Sequence, residues 1–183
     1  AKVGISLKGP AVVEKGTEGT FKVAANNMNR LATATIWFEG DRDYFDFKDF
    51  KGLNGFEVIG GIKWESKGGS VYQGRVTLSN MEGGITSKRA KDILAVTLGA
   101  KTKIGTSEIK INRIELSGYD ENDVAVFCEY EIKAGAITVG VSQGFSRYDV
   151  NRDGRVDQLD LTTAQLYYAA KTGDANWAEA VYA

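Results

Sequence analysis

The chain has 183 residues, of which 43% are apolar and 26% charged, and this composition is typical of a folded globular protein. The formal net charge is −1, so the overall charge gives no reason to expect nucleic acid or an anionic membrane surface as a partner. There is no histidine and one cysteine, Cys128, which excludes the commonest catalytic triads and dyads. No segment approaches the roughly 20 apolar residues of a membrane-spanning helix. We therefore expect a protein that is not an enzyme and has no membrane span.

Segments with alternating apolar residues follow one another from the N terminus to about residue 141 and predict β-strands. Such alternation places one side of a strand on a core and the other towards solvent. In one segment Ile36 and Phe38 share the apolar side, so Trp37 is expected on the opposite side. The alternating segments are residues 3–7, 21–25, 31–38, 72–78, 94–98, 124–130 and 137–141. About nine strands with glycine-bearing turns predict an all-β jelly roll or β-sandwich over residues 1–141.

Two local features of this region give sharper predictions. Ile109 and Ile111 share one parity, whereas Ile114 and the next apolar residue, Leu116, share the other. One inserted residue would return both pairs to the core, so we predict a β-bulge near 112–113. The polar segment before the strand at 93–100 is expected to add a short helical turn. Cys128 is expected to be a buried, unreactive side chain.

The pattern changes after residue 141. Residues 142–148 lack alternation and predict a linker. Residues 149–183 predict a small second module, in which Leu161, Ala164 and Tyr168 recur at helical spacing and Gly173 ends the helix. Residues 177–182 are expected to begin another short helix.

Residues 149–160 carry oxygen-bearing side chains at the spacing of a calcium loop of the EF-hand kind. Calcium takes six to eight oxygen ligands from carboxylates, amides, carbonyls and water. Glycine stands at position 6, and the apolar residue at position 8, Val156, is expected to point inward. The predicted ligands of one Ca²⁺ are the side chains of Asp149, Asn151, Asp153, Asp157 and Asp160 and the main-chain carbonyl of Arg155. The alternative is a solvated acidic turn in which Asp160 only caps the following helix.

Residues 148–171 resemble one repeat of a dockerin, the calcium-dependent adaptor of cellulosomal and related extracellular carbohydrate-active proteins. The resemblance lies in the loop and in the aspartate at position 12 followed by Leu161 and Thr162. Dockerins normally carry two such repeats, and residues 149–183 contain one. Because dockerins usually contact partners through loop positions 10 and 11 and helix positions 17 and 18, the resemblance implies partner contacts at Gln158, Leu159, Gln165 and Leu166. Alternatively, both of these leucines pack inside the module itself.

Residues 1–141 are similar to cohesins, the nine-stranded jelly-roll partners of dockerins. The similarity is carried by residues 16–23, 93–98 and 135–140. Together the two resemblances imply a non-catalytic, secreted assembly module. Its partners would be cohesin or dockerin modules of other proteins, or the two modules would dock on each other within the chain.

Two other functions remain open. Exposed aromatic residues form sugar-stacking platforms in many β-sandwich modules, and Trp37 and Trp64 are the candidates for a polysaccharide site, with Tyr44 and Tyr72 as further ones. Such a platform requires two aromatic rings on one exposed face. The acidic segment 41–49 could in principle hold a glycosidase carboxylate pair. Its basic neighbours and its alternation with phenylalanine favour an edge strand with a charged outer face instead.

Overall fold

The computed structural model describes residues 1–144, 148–151 and 155–167. The chain divides into two compact units, Ala1–Ser142 and Gln143–Ala183. Over the described ranges, no helical segment has the length and apolar character required to span a membrane.

The described part of the first unit is built from β-strands alone. They are β1 (Val3–Lys8), β2 (Val12–Glu14), β3 (Glu18–Asn26), β4 (Met28–Asp41), β5 (Phe45–Gly52), β6 (Phe56–Val58), β7 (Lys63–Gly68), β8 (Val71–Asn80), β9 (Ile85–Ser87), β10 (Lys91–Ala100), β11 (Gly105–Tyr119), β12 (Ala125–Phe127), β13 (Tyr130–Ala134) and β14 (Ala136–Ser142). The expectation of nine strands was too low, because β2, β6, β9 and β12 have only 3 residues each and are too short to show alternation.

The strands form two mixed sheets. Sheet A has the order β13-β1-β3-β10-β5. Sheet B has the order β2-β14-β11-β4-β8-β6, and β12, β7 and β9 pair with β11, β8 and β4, respectively. The pairs β1–β13 and β2–β14 are parallel, whereas the long central strands pair antiparallel.

The inner faces of the two sheets share one apolar core, as the alternation predicts. Phe21 of sheet A meets Phe38 of sheet B edge to face, with ring centroids 6.2 Å apart. The predicted inward residues of the segments 3–7, 21–25, 31–38, 72–78 and 94–98 are buried. This is the β-sandwich expected for residues 1–141.

The predicted β-bulge is confirmed. The register between β11 and β4 shifts between Ile111 and Arg113. Because of the shift, both apolar pairs face the core although their parities differ. Ile109, Ile111, Ile114 and Leu116 are all buried.

Two expectations for this unit are wrong. Residues 124–130 do not form one strand with a buried face, because the chain changes sheets within them: β12 pairs with β11 of sheet B and β13 with β1 of sheet A. Val124, Val126 and Tyr130 are exposed, and Cys128 is half-buried. The helical turn predicted before residue 93 is also absent. Strand β9 forms there because Ile85 pairs with Leu31 of β4, a long-range contact that local sequence does not reveal.

The second unit contains the helix α1 (Gln158–Tyr167). It starts three residues earlier than the apolar spacing from Leu161 indicated. Val156 is exposed and does not point inward as expected. The linker residues 145–147, the predicted helix end at Gly173 and the predicted helix at 177–182 lie outside the described residues.

Candidate calcium loop and interaction faces

The two end residues of the predicted calcium loop are buried carboxylates. Asp149 is 5% exposed and Asp160 is 3% exposed. The main-chain N–H of Asn151 donates to Asp160 Oδ1 at 3.3 Å, and that of Asp157 donates to Asp160 Oδ2 at 2.7 Å. These bonds stabilise the ionised carboxylate, so the backbone N–H of Asp157 above all, together with that of Asn151, lowers the pKa of Asp160. The last position of the loop is thereby joined to the third and the ninth.

Part of this arrangement is a helix cap. Asp157 Oδ1 accepts the N–H of Leu159 at 2.8 Å, one residue after α1 begins. Asp160 Oδ2 in turn accepts the N–H of Asp157, which is one half of a capping box with aspartate in the place of the usual glutamate. The other half is a variant of the box, because the carboxylate of Asp157 accepts from Leu159 and not from Asp160. The N-cap of α1 is therefore Asp157. The acidic-turn alternative, which placed the cap at Asp160, is wrong on this point. The spacing of these two aspartates in the sequence is the signal that could have revealed the cap.

The chemistry of the donor set fits calcium, a hard cation that prefers oxygen ligands. Asp149, Asn151, Arg155 and Asp157 of the predicted ligands are described besides Asp160, whereas Asp153 and the glycine at position 6 are not. Each carboxylate oxygen has about two lone-pair sites, so the cap leaves Asp160 with capacity for a cation. Within the described ranges no group of three or more carboxylate, thiol or imidazole side chains is arranged to hold a metal ion. The calcium assignment therefore depends on ligand spacing and chemistry.

The predicted partner contacts lie on or beside α1. Gln158 and Gln165 are exposed, and so is Leu159, at 55%. The side chain of Leu166 lies outside the described residues. Leu161, in the same helix, is exposed as well.

A mainly polar face surrounds Trp37 on the outside of sheet B. Trp37 of β4 lies between Arg113 of β11 and Arg75 of β8 in the strand register. The guanidinium of Arg113 lies over the indole, 4.6 Å from the ring centroid. Hydroxyl pairs, including Thr35 with Thr77 at 3.2 Å, continue the face. We call this surface the outer face of sheet B.

Trp64 lies on the opposite, inner side of sheet B. Its partner across the β7–β8 pair is Gly74, which is also the partner of Phe38. The indole stacks on Phe47, with ring centroids 5.7 Å apart and planes 13° apart. A Cβ at Gly74 would come within 2.6 Å of Phe38 and 2.9 Å of Trp64, so the glycine makes room for both rings. Trp64 is nevertheless 41% exposed. It and Trp37 project from opposite sides of sheet B, and both border a surface depression of about 270 Å³.

The acidic segment 41–49 runs into β5, which is an edge strand of sheet A, as the alternation predicted. Two of its carboxylates pair with lysines: Asp43 with Lys103 and Asp46 with Lys101, both at 3.4 Å. Tyr72 is buried beneath this segment and donates its hydroxyl to the carbonyl of Phe45 at 3.0 Å.

Comparison with solved structures identifies the sandwich. It resembles the cohesin module of a family 33 glycoside hydrolase from Clostridium perfringens, with a TM-score of 0.58 and 14% identity over 77% of this chain and 97% of that one. It also resembles the seventh ScaB type I cohesin from Pseudobacteroides cellulosolvens, with a TM-score of 0.57 and 14% identity over 79% of this chain and 96% of that one. A type I cohesin–dockerin complex from Clostridium thermocellum matches with a TM-score of 0.51 and 10% identity over 77% of this chain and 95% of that one. No protein-family model and no curated protein matches the sequence. The first unit thus has a cohesin-like fold.

Proposed function

We propose that the chain is a non-catalytic, calcium-binding assembly module that mediates cohesin–dockerin type contacts in a secreted polysaccharide-degrading system. The observation that carries the proposal is the presence in one chain of a cohesin-like sandwich and a loop with dockerin-like ligand spacing. One similar solved structure is a cohesin bound to a dockerin, and another is a cohesin module of a glycoside hydrolase. Such a protein works by bringing other proteins together, so it needs interaction surfaces and no catalytic group.

The outer face of sheet B is the surface of the sandwich that we assign to the partner. Tryptophan and arginine are enriched at protein interfaces, and this face presents Trp37 beneath Arg113 with Arg75 beside it. The outside of sheet A carries ion pairs between lysine and carboxylate side chains, such as Lys8 with Asp92 at 2.7 Å. Lysine and aspartate are depleted at interfaces, which favours sheet B.

Calcium would act on the second unit. A bound Ca²⁺ would neutralise the two buried carboxylates, Asp149 and Asp160, because coordination to a metal compensates for the cost of burying a charge. It would be held by these side chains together with Asn151, Asp153, Asp157 and the carbonyl of Arg155. Binding to the folded form would stabilise the loop and the start of α1, so calcium would prepare Gln158 and Leu159 for a partner.

Calorimetric titration of the chelator-treated protein with calcium tests the metal site. We expect one ion per chain and a loss of binding in Asp149→Asn, which leaves the capping box of Asp157 and Asp160 intact. The matched control is Asp46→Asn, which removes the same charge from the sandwich and should bind as the wild type does. Absence of saturable binding to the wild type, or equal binding to both variants, would contradict the calcium assignment.

A panel of dockerin modules, immobilised and titrated with this protein in calcium, tests the sandwich face. We expect saturable binding to at least one dockerin and a loss of about tenfold or more in affinity in Trp37→Ala, the size expected for a central aromatic contact. Thr97→Ala on the outside of sheet A is the control and should bind normally. Binding that is insensitive to Trp37→Ala would contradict the assigned face. Binding to soluble polysaccharide and to no dockerin would favour the carbohydrate-binding alternative.

A further inference from the structure

Exposed apolar side chains of the sandwich are concentrated in and beside the strands β12 and β13. Five large ones lie within nine residues: Val124, Val126, Phe127, Tyr130 and Ile132. Phe127 is 85% exposed, Tyr130 37% and Ile132 39%. The last two belong to β13, an edge strand of sheet A, for which β1 is the only strand partner among the described residues.

The unpaired side of β13 presents main-chain groups that are free to pair with another strand. The N–H of Val3 donates to the carbonyl of Glu129 at 2.9 Å, so that carbonyl points towards β1. Main-chain groups alternate in direction along an extended strand. The N–H and C=O groups of Tyr130 and Ile132 therefore point away from β1, towards the open edge.

The two sides of β13 carry different kinds of side chain, apolar on the inner side of sheet A and charged on the outer side. Tyr130 and Ile132 are in register with Val3 and Ile5 of β1, which are buried, so they continue the apolar inner side of sheet A to its rim. Glu131 and Lys133 lie on the outer side, with their charged atoms 3.7 Å apart. The edge thus has one apolar side and one side with a single acid and a single base.

This order of charges is self-complementary in an antiparallel pair. If two copies of β13 are paired about a two-fold axis at Ile132, Glu131 of each copy lies opposite Lys133 of the other. Ile132 then faces Ile132 of the second copy with both main-chain bonds made. The register of β13 with β1 shifts between Ile132 and Ala134, so the proposed pairing is centred on residues 131–133. Opposite charges in directly opposed positions stabilise such a pair, and like charges destabilise it.

We propose that a second copy of this chain binds along the open edge of β13, in antiparallel register about Ile132, and joins the two five-stranded sheets into one. The interface is isologous, as most dimer interfaces are. A single strand of 5 residues buries less area than a typical stable complex, so the dimer is weak and reversible. Its formation does not depend on calcium or on the outer face of sheet B.

Sedimentation velocity of the full chain over a concentration series tests the proposal through charge reversal. We expect concentration-dependent dimers for the wild type and a rise of about tenfold or more in the dissociation constant for Glu131→Lys, because two lysines then oppose each other twice in the dimer. Lys133→Glu should weaken the dimer in the same way. An equimolar mixture of the two variants should restore association as a heterodimer, and the double reversal should restore the homodimer.

Restored association in the mixture of the two variants distinguishes pairing at β13 from damage to the fold, because mixing does not refold a misfolded variant. Glu65→Lys is the matched control: it reverses one charge of a similar ion pair on β7, where Lys67 lies 3.5 Å from Glu65, and should leave the dimer unchanged. A wild type that stays monomeric at all concentrations would overturn the proposal. So would a dimer broken by Glu65→Lys and insensitive to Glu131→Lys, or a mixture of the two β13 variants that does not associate.

Discussion

The sandwich and the calcium-loop unit are held together by contacts of different range. In the sandwich, buried rings far apart in the chain meet, as Phe21 does with Phe38, and β4 pairs with β11 along most of its length. In the second unit, every bond given above joins residues at most nine positions apart, from Asn151 to Asp160. One unit is stabilised by long-range apolar burial and the other, in its described part, by local bonds to carboxylates.

This difference explains why we assign the calcium requirement to the second unit alone. In its described part, Val156, Leu159 and Leu161 are more than half exposed and contribute little burial, whereas Val150 and Ala164 are half-buried. A segment that buries little apolar surface depends on a ligand or a partner for stability. The sandwich has a filled core, so we expect its stability to be independent of both. Substitutions in the two units should therefore have effects of very different size.

The largest difference is expected between Phe38→Ala in the core and Leu161→Ala on α1. Phe38 is 1% exposed and contacts the rings of Phe47, Phe50 and Trp64 as well as Phe21. Its truncation should lower the free energy of unfolding of the sandwich by about 3–5 kcal/mol. Leu161→Ala should change it by no more than about 0.5 kcal/mol, as is usual for exposed positions.

Urea denaturation followed by tryptophan fluorescence measures both effects. Equal destabilisation by the two variants would show that the units share one cooperative core and would remove the contrast drawn between them.

Most of the sandwich could be predicted from the sequence because alternation reports directly which side of a strand is buried. The bulge before Arg113 was predictable for the same reason, since parity must change when a residue is inserted. The segment 124–130 was not predictable, because its alternation does not show that the chain crosses from one sheet to the other. The strand β9 likewise depends on pairing with Leu31, which is distant in the sequence.

The candidate sites also differ in whether local sequence or long-range strand pairing determines them. The calcium ligands follow from spacing within twelve residues, so a local pattern was enough to propose them, and the capping box of Asp157 and Asp160 could have been proposed too. The side of the sheet on which Trp64 lies depends on the register between β7 and β8. The position of Trp64 relative to Trp37, which a sugar platform would require, could therefore not be predicted from sequence alone.

A smaller effect is expected from adding one methyl group inside the sandwich. Gly74→Ala places a Cβ 2.6 Å from the buried ring of Phe38 and 2.9 Å from the ring of Trp64, and overpacking of this kind costs about 1–3 kcal/mol. Gly61→Ala is the control in the same unit, because no atom lies within 4 Å of its added Cβ. It should be neutral or stabilising by less than about 1 kcal/mol. Thermal melts of both variants measure the difference, and a neutral Gly74→Ala would show that the rings move aside at no cost.

The smallest effect is expected at Tyr72, where the sandwich itself depends on a polar bond. Its buried hydroxyl donates to the carbonyl of Phe45, so Tyr72→Phe should cost about 1 kcal/mol at neutral pH. Burial, and next the nearby carboxylate of Asp46, raise the pKa of Tyr72 above its ordinary value. In the unfolded chain a tyrosine loses its proton near pH 10, whereas the folded protein keeps this one. The folded state then binds more protons, so the stability that Tyr72 contributes falls as the pH rises above about 10.

Denaturation of the wild type and of Tyr72→Phe at pH 8 and at pH 11 separates the contribution of the hydrogen bond from that of the raised pKa. The variant should be the less stable at pH 8, and its disadvantage should shrink or reverse at pH 11, where it has no phenol to hold neutral. The guanidinium of Arg42 lies 4.8 Å from the ring centroid and lowers the pKa of Tyr72, so Arg42→Ala should extend the alkaline loss of stability to higher pH and leave its slope near pH 11 unchanged. A constant difference between wild type and Tyr72→Phe at both pH values would mean that the folded protein does not hold the phenol in its neutral form. Tyr72 would then contribute only its hydrogen bond to the stability of the sandwich.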